Sequence, residues 1–299
     1  MSATRASLQT GSPSLSAMAG IEARRVARNP FFLLATLVAF ALLLWTVLNA
    51  SDAEPAGDLL SWPVIPAFFV GLTSLVVLAR QTRSTEAAAE AMNAAPGTEA
   101  RRTLALALAC LVPGAVGLLW VLAEVALTTW REPAPQEWWF GTMPDAQVWA
   151  MLLANGPVAC LGGGLLGVLT GRWLRFPGAA AVAVVVVLVI DMLGQFPSEE
   201  TSHPAWRLWT PWATFQSGTD ADGTAVQYGG NAVFYLVYVL CLCVAAVIAA
   251  VWHDRVARTG RLKGLFAGVV VVGLVALALS MTTGTTENRT SDPVPSRIS

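Results

Sequence analysis

Long apolar runs alternate with short polar connections along this chain, and the runs set its architecture. Seven stretches are nearly free of charge: residues 31–49, 60–79, 103–130, 148–170, 179–195, 232–252 and 264–281. About 20 apolar residues, rising about 1.5 Å each in a helix, match a hydrocarbon core of roughly 30 Å. Lipid offers the backbone no hydrogen bonds, so each run is predicted to satisfy its own polar groups as a helix. The expected fold class is all-α: a polytopic membrane bundle of about seven transmembrane helices over residues 31–281, six core spans plus one extra. Pro63 and Pro66 in the second run, Pro113-Gly114 in the third and Gly156-Pro157 in the fourth predict kinks. Gly163, Gly167 and Gly171 follow one another at four-residue spacing in the fourth run. Such a face lets a neighbouring backbone come close, and packing within the chain is the preferred use.

The polar segments predict smaller elements. Residues 1–13 are rich in Ser, Thr, Gly and Pro and are expected to be disordered. In residues 14–29, Leu15, Met18 and Ile21 are spaced by three and accompany Arg24, Arg25 and Arg28. This reads as a short amphipathic helix on the inner membrane surface, ended before Pro30. In the connection 80–102, Thr85 suits an N-cap and Glu86 a first turn, so 85–95 is expected to be either a short exposed helix or a solvated linker with nascent helix, broken by Pro96-Gly97. The loop 196–231 carries Trp206, Trp209, Trp212 and Phe215, and a second aromatic cluster is Trp138, Trp139 and Phe140. Tryptophan at one face predicts an interfacial belt. Residues 282–299 are expected to be a disordered tail.

Composition and charge narrow this picture. The chain is 55% hydrophobic and 12% charged, with mean hydropathy +0.60, which leaves almost no mass for a soluble domain. With the N-terminus inside, fourteen of the 18 basic residues fall on inner segments, and only Arg131, Arg207, Arg289 and Arg297 fall outside. The predicted orientation is therefore N-in, C-out. The net charge is −1 and the basic residues sit at helix ends, which speaks for membrane lipid and against nucleic acid as a partner. The first run begins at Phe31 and has no short apolar core with a small-residue cleavage pattern, so it is expected to be an uncleaved span. One Lys against many Arg, with abundant Ala and Val, suits a GC-rich bacterial genome and hence a bacterial plasma membrane.

Chemistry is sparse. Glu124 and Asp191 are the only charges within the runs. Counting along the helices places both in the outer half, within reach of water or headgroups, as candidates for a transport path or for a merely interfacial role. Cys110, Cys160, Cys241 and Cys243 lie in runs and are expected to act as small apolar residues. His203 and His253 fall on opposite sides of the membrane. HExxH, GxSxG and GxxxxGK[ST] are absent, so no catalytic, metal or cofactor site is expected on this chain.

The run RQTRSTEAAAEAMNAAPGTEARRTLALALACLVPGA resembles the ABC-2 class of ABC transporter permeases in forms common in actinobacteria. The matching positions are Arg80, Arg83, Thr85, Glu86, Pro96, Arg101, Arg102, Thr103, Leu104 and Ala105. IEARRVARNPFF at 21–32 resembles that family's interface helix, and LLANGPVACLGGGLLGVLTGRWL at 152–174 its fourth span. Two features differ. Ala87, Ala88 and Ala89 stand where Leu pairs are common, which leaves Met92 as the main apolar contact, and a seventh span puts the C-terminus outside. The resemblance implies a permease that pairs with itself or a sister chain, usually for export. It also implies cytoplasmic ATPase subunits carrying ATP and Mg, docked through Arg24, Arg25, Arg83, Thr85, Glu86, Glu90, Met92, Arg101 and Arg102. Two rival readings are a non-transporting signalling or assembly protein and an intramembrane enzyme; the enzyme would need a polar cluster at one depth.

Overall fold

The computed structural model describes residues 14–49, 60, 62–92, 98–131, 144–195, 204–213, 216–219, 225–227, 229–284 and 288–290. Six helices among them are long and apolar enough to cross a membrane: Pro30–Asn49, Val64–Ala87, Glu99–Trp130, Asp145–Trp173, Ala232–Val251 and Gly260–Thr282. The chain is thus a multi-pass helical bundle in character. The expected tail 1–13, the aromatic cluster at 138–140 and Phe215 lie outside the described residues.

Caps and prolines explain where the helices begin and bend. In α1 (Leu15–Ala27) the Ser14 hydroxyl accepts from the Ala17 N–H at 3.2 Å, an ordinary N-cap. The Asn29 side chain then accepts from the Phe31 and Phe32 amides and starts α2 (Pro30–Asn49), with Pro30 at its first position. The second run forms α3 (Val64–Pro66), a π turn at Ala67–Gly71 and α4 (Leu72–Met92). The third divides into α5 (Glu99–Ala109) and α6 (Leu111–Arg131) just ahead of Pro113. The fourth comprises α7 (Asp145–Leu153), a π turn at Ala154–Val158 holding Pro157, and α8 (Ala159–Trp173). All three expected kinks therefore occur, two of them as π turns, where an extra residue absorbs the missing hydrogen bond.

The small-residue face is used within the chain. A Cβ on Gly163 would strike the Gly71 carbonyl, one on Gly167 the Leu75 carbonyl, and one on Gly171 would lie 2.8 Å from the Ala79 carbonyl. Both rows advance by four, so α8 and α4 run along one another with backbones almost touching. A second close approach lies between Gly117 of α6 and Gly156, where an added Cβ would sit 2.9 Å from the Gly156 carbonyl. These two seams enclose a core that includes Leu43, Leu78, Leu106, Trp120, Leu165 and Tyr235.

Three more helices complete the bundle. α9 (Ala179–Gln195) has 17 residues, about 25 Å at helical rise, and is shorter than the six long helices. α10 (Ala232–Val251) runs back, and α11 (Gly260–Thr282) lies against it on the outside of the bundle, with Gly273 facing Cys241 and Leu265, Val271 and Leu274 exposed. The extra seventh run is thus peripheral. Three short strands form the one non-helical unit among the described residues: β1 (Gln216–Thr219), β2 (Ala225–Gln227) and β3 (Asn288–Thr290), antiparallel in that order. β3 belongs to the segment expected to be a disordered tail, and pairing with β2 gives it order.

Two sequence expectations are corrected. No separate helix begins at Thr85, because α4 continues unbroken from Leu72 to Met92. The Thr85 hydroxyl donates to the Gln81 carbonyl at 2.8 Å, a back-bond inside a helix and not a cap. The Ala-rich stretch simply propagates the helix that α4 has already nucleated, avoiding a new nucleation step. In the Trp-rich loop, Trp212 is buried in the bundle and so is not available to an interfacial belt, while Trp209 is half-buried. A 3-10 turn at Pro204–Trp209 leads into residues 210–213, and Arg207, Leu208, Thr210, Trp212 and Ala213 are all buried.

Candidate functional site

Two polar clusters, one at each end of the bundle, carry what chemistry the described residues offer. The first lies at the end that holds α1. Thr98 caps α5, accepting from the Arg101 N–H, and so sets Glu99 in the first turn. The Glu99 Oε1 atom is 2.6 Å from His253 Nδ1 and 3.5 Å from Arg172 Nη1. Arg172 ends α8 and is 1% exposed, and its Nε and Nη2 have no hydrogen-bond partner. Just past α10, Asp254 accepts from the Ala100 N–H through one oxygen and from the Val256 N–H through the other. Trp173 packs edge-on against His253 and donates to the Ala249 carbonyl at 3.0 Å. The ends of α5, α8 and α10 are thereby tied by charged side chains.

The same end carries the expected docking residues, and the structure separates them. Arg24 and Arg25 are exposed on α1. Arg25 pairs with Glu22 at 3.1 Å, and Gln81 of α4 donates to both the Glu22 carbonyl and its carboxylate, stapling α1 to α4. Arg83 is spent on structure, donating to the Phe176 carbonyl at 2.9 Å and so fixing the turn before α9. Arg101, Arg102, Thr85 and Glu86 are half-buried. Glu90 and Met92 lie in α4, but their side chains fall outside the described residues.

At the far end, mostly neutral groups hold the largely buried segment 209–213. The Tyr235 hydroxyl donates to the Thr210 carbonyl at 2.8 Å and accepts from the Ala213 N–H at 2.9 Å. Tyr238 donates to the Trp209 carbonyl at 2.9 Å. The Asn155 amide, turned inward by the π turn that Pro157 imposes, donates to the Ala213 carbonyl at 3.2 Å. The Asp191 carboxylate accepts from the Trp212 N–H. Irregular backbone persists away from water only where side chains satisfy it, and these four residues do so here.

Glu124 and Asp191 therefore stand differently from expectation. Neither reaches water as helix counting suggested: Glu124 is 0% exposed and Asp191 8%. Glu124 shares a face of α6 with Trp120, and the Gly117–Gly156 approach seals that face. Both Glu124 carboxylate oxygens lack a hydrogen-bond partner. No hydrogen bond among the described residues joins Glu124 to Asp191. No group of three or more His, Cys, Asp or Glu among the described residues is arranged to hold a metal ion.

Sequence reasoning missed Glu99, Arg172, Asp254, Asn155, Tyr235 and Tyr238. The first three read as ordinary charged residues flanking spans. Only Asn155, set beside a helix-breaking Gly-Pro in an apolar run, offered a signal. Comparison of the chain with protein-family models, with curated proteins and with solved structures finds no match.

Proposed function

We propose that this chain is the membrane-spanning subunit of an ABC transporter of the ABC-2 class, probing its partner from the end that holds α1. In this reading the chain crosses a bacterial plasma membrane seven times, N-in and C-out, with α9 as the short fifth crossing. It pairs with a second copy or a sister permease and serves export. ATP and Mg chemistry belongs to a separate cytoplasmic subunit.

One observation carries the reading: the two elements a docked subunit would engage, α1 and the distal part of α4, are stapled together at one end through Gln81 and Glu22. Exposed Arg24 and Arg25 lie beside that staple, and the fourteen-to-four division of basic residues supports this end being inside. A docked subunit would meet the tip of a continuous helix and the α4–α5 junction, not a separate short helix.

Pull-down from membranes tests the proposal. Glu86→Arg with Glu90→Arg reverses charge on one face of distal α4, so recovery of the ATPase and transport-coupled hydrolysis should fall while membrane insertion is unchanged. Equal recovery and equal activity would reject the docking surface. Labelling of single cysteines placed at Gly97 and Gly218 in intact cells tests orientation. The proposed topology requires label at 218 and protection at 97.

A further inference from the structure

We propose that Arg172 is the pivot of an ion-pair exchange at the α1 end of the bundle, held by Glu99 of α5 in this structure and able to pass to Glu86 of α4. Arg172 is 1% exposed, yet only Nη1 meets a carboxylate, at a loose 3.5 Å, while Nε and Nη2 have no partner. A buried guanidinium with idle donors is costly, so an arrangement that engages them is close in free energy. The charged groups acting on Arg172 are Glu99, Glu86 and Asp254, which attract it, and Arg102, which repels it. Asp254 already spends both oxygens on the Ala100 and Val256 amides. Glu99 retains His253 at 2.6 Å and is not stranded if Arg172 leaves. Glu86 is half-buried and makes no hydrogen bond or ion pair to any described residue, which makes it the carboxylate left for the idle donors. Since α8 meets the α4 backbone as far as Gly171 against the Ala79 carbonyl, with the Thr82 side chain packed beside it, the exchange needs movement only beyond that seam, at the tip of α4 and the start of α5. It is a property of this chain alone and stands whether or not an ATPase docks.

Hydrogen exchange on the full chain in lipid nanodiscs tests the exchange through redundancy. Glu86→Gln should leave protection of residues 98–103 unchanged. Glu99→Gln should loosen it by no more than about threefold, because Glu86 takes over Arg172. The double variant should loosen it at least about tenfold, far beyond the product of the two. Adding Arg172→Met to the double variant, which removes the stranded charge, should restore protection, and this keeps the test open if the double variant folds poorly. A Glu99→Gln effect as large as the double variant's, a double variant like wild type, or no recovery with Arg172→Met would each overturn the proposal.

Discussion

At the α1 end a buried guanidinium, Arg172, meets the carboxylate of Glu99 across helices; at the far end the groups that join elements are mostly neutral and meet backbone. Glu99 divides one oxygen between His253 and Arg172, and Arg172 keeps donors in reserve. Tyr235, by contrast, engages both its donor and its acceptor on one short segment, and Asn155 and Tyr238 add fixed contacts on either side. A carboxylate or guanidinium can change partners with little loss, because any opposite charge in reach serves. A hydroxyl matched to one carbonyl and one amide has no equivalent alternative nearby. The difference assigns rigidity to the far end and adjustability to the α1 end, and each assignment can be broken separately.

The largest effect should come from removing what both ends share. Gly167→Leu drives a side chain into the Leu75 backbone, at the middle of the α4–α8 seam. Overpacking of this kind commonly costs about 1–3 kcal/mol, and a clash with main chain that cannot repack belongs at or above the upper limit. The expected outcome is loss of a monodisperse peak on size exclusion in detergent, with both ends affected together. A folded variant with an unchanged melting temperature would mean the seam is looser than its geometry requires.

Next in size is Tyr235→Phe. It leaves the Thr210 carbonyl and Ala213 amide without their partner in a buried setting, at about 1–3 kcal/mol for each group so stranded. Exchange should rise at the 213 amide and stay unchanged at residues 98–103. Loosening at both ends together would show that the ends are mechanically one unit and would dissolve the contrast. Arg172→Met should cost less, within about 1 kcal/mol. Glu99 is 29% exposed and keeps His253, and the variant also removes two idle buried donors. A thermal melt of the purified protein separates the two, and a greater loss in Arg172→Met than in Tyr235→Phe would reverse the assignment of rigidity.

The sequence made the helical frame legible because its signals are local. Apolar run length, the Gly163/Gly167/Gly171 spacing, and Pro66, Pro113 and Pro157 each act within a few turns, and the spans, the close seam and the bends follow from them. The two clusters were illegible because they join distant positions: Glu99 meets His253 across 154 residues, and Asn155 meets Ala213 across 58. The error at Thr85 has a different source. Cap chemistry and first-turn charge were present at Thr85-Glu86, but a helix already running from Leu72 needs no new start, and Ala87, Ala88 and Ala89 only extend it. Misplacing Glu124 came from treating depth along one helix as access to water, when lateral packing of α6 decides exposure.

The smallest expected effect concerns how α1 is attached, and it bears on whether adjustability at this end extends to the surface. Arg25 is 49% exposed on its side chain and pairs with Glu22 three residues before it. An exposed pair at that spacing contributes about 0.2–0.5 kcal/mol. Glu22, 13% exposed, also holds Gln81, whose amide reaches both its carboxylate and its carbonyl. Arg25→Ala should therefore leave exchange across residues 15–27 within about twofold of wild type, whereas Gln81→Ala should raise it several-fold, since it removes the hydrogen bonds from α4 to α1. Neither variant should alter protection at residues 98–103 by more than about twofold, because Arg172 and Glu99 make no hydrogen bond or ion pair with Gln81, Glu22 or Arg25. A large response to Arg25→Ala and none to Gln81→Ala would place the attachment of α1 in its own surface charge. In that case α1 would be held by its own surface charge and not by α4, and the staple could not hold together the two elements proposed for docking.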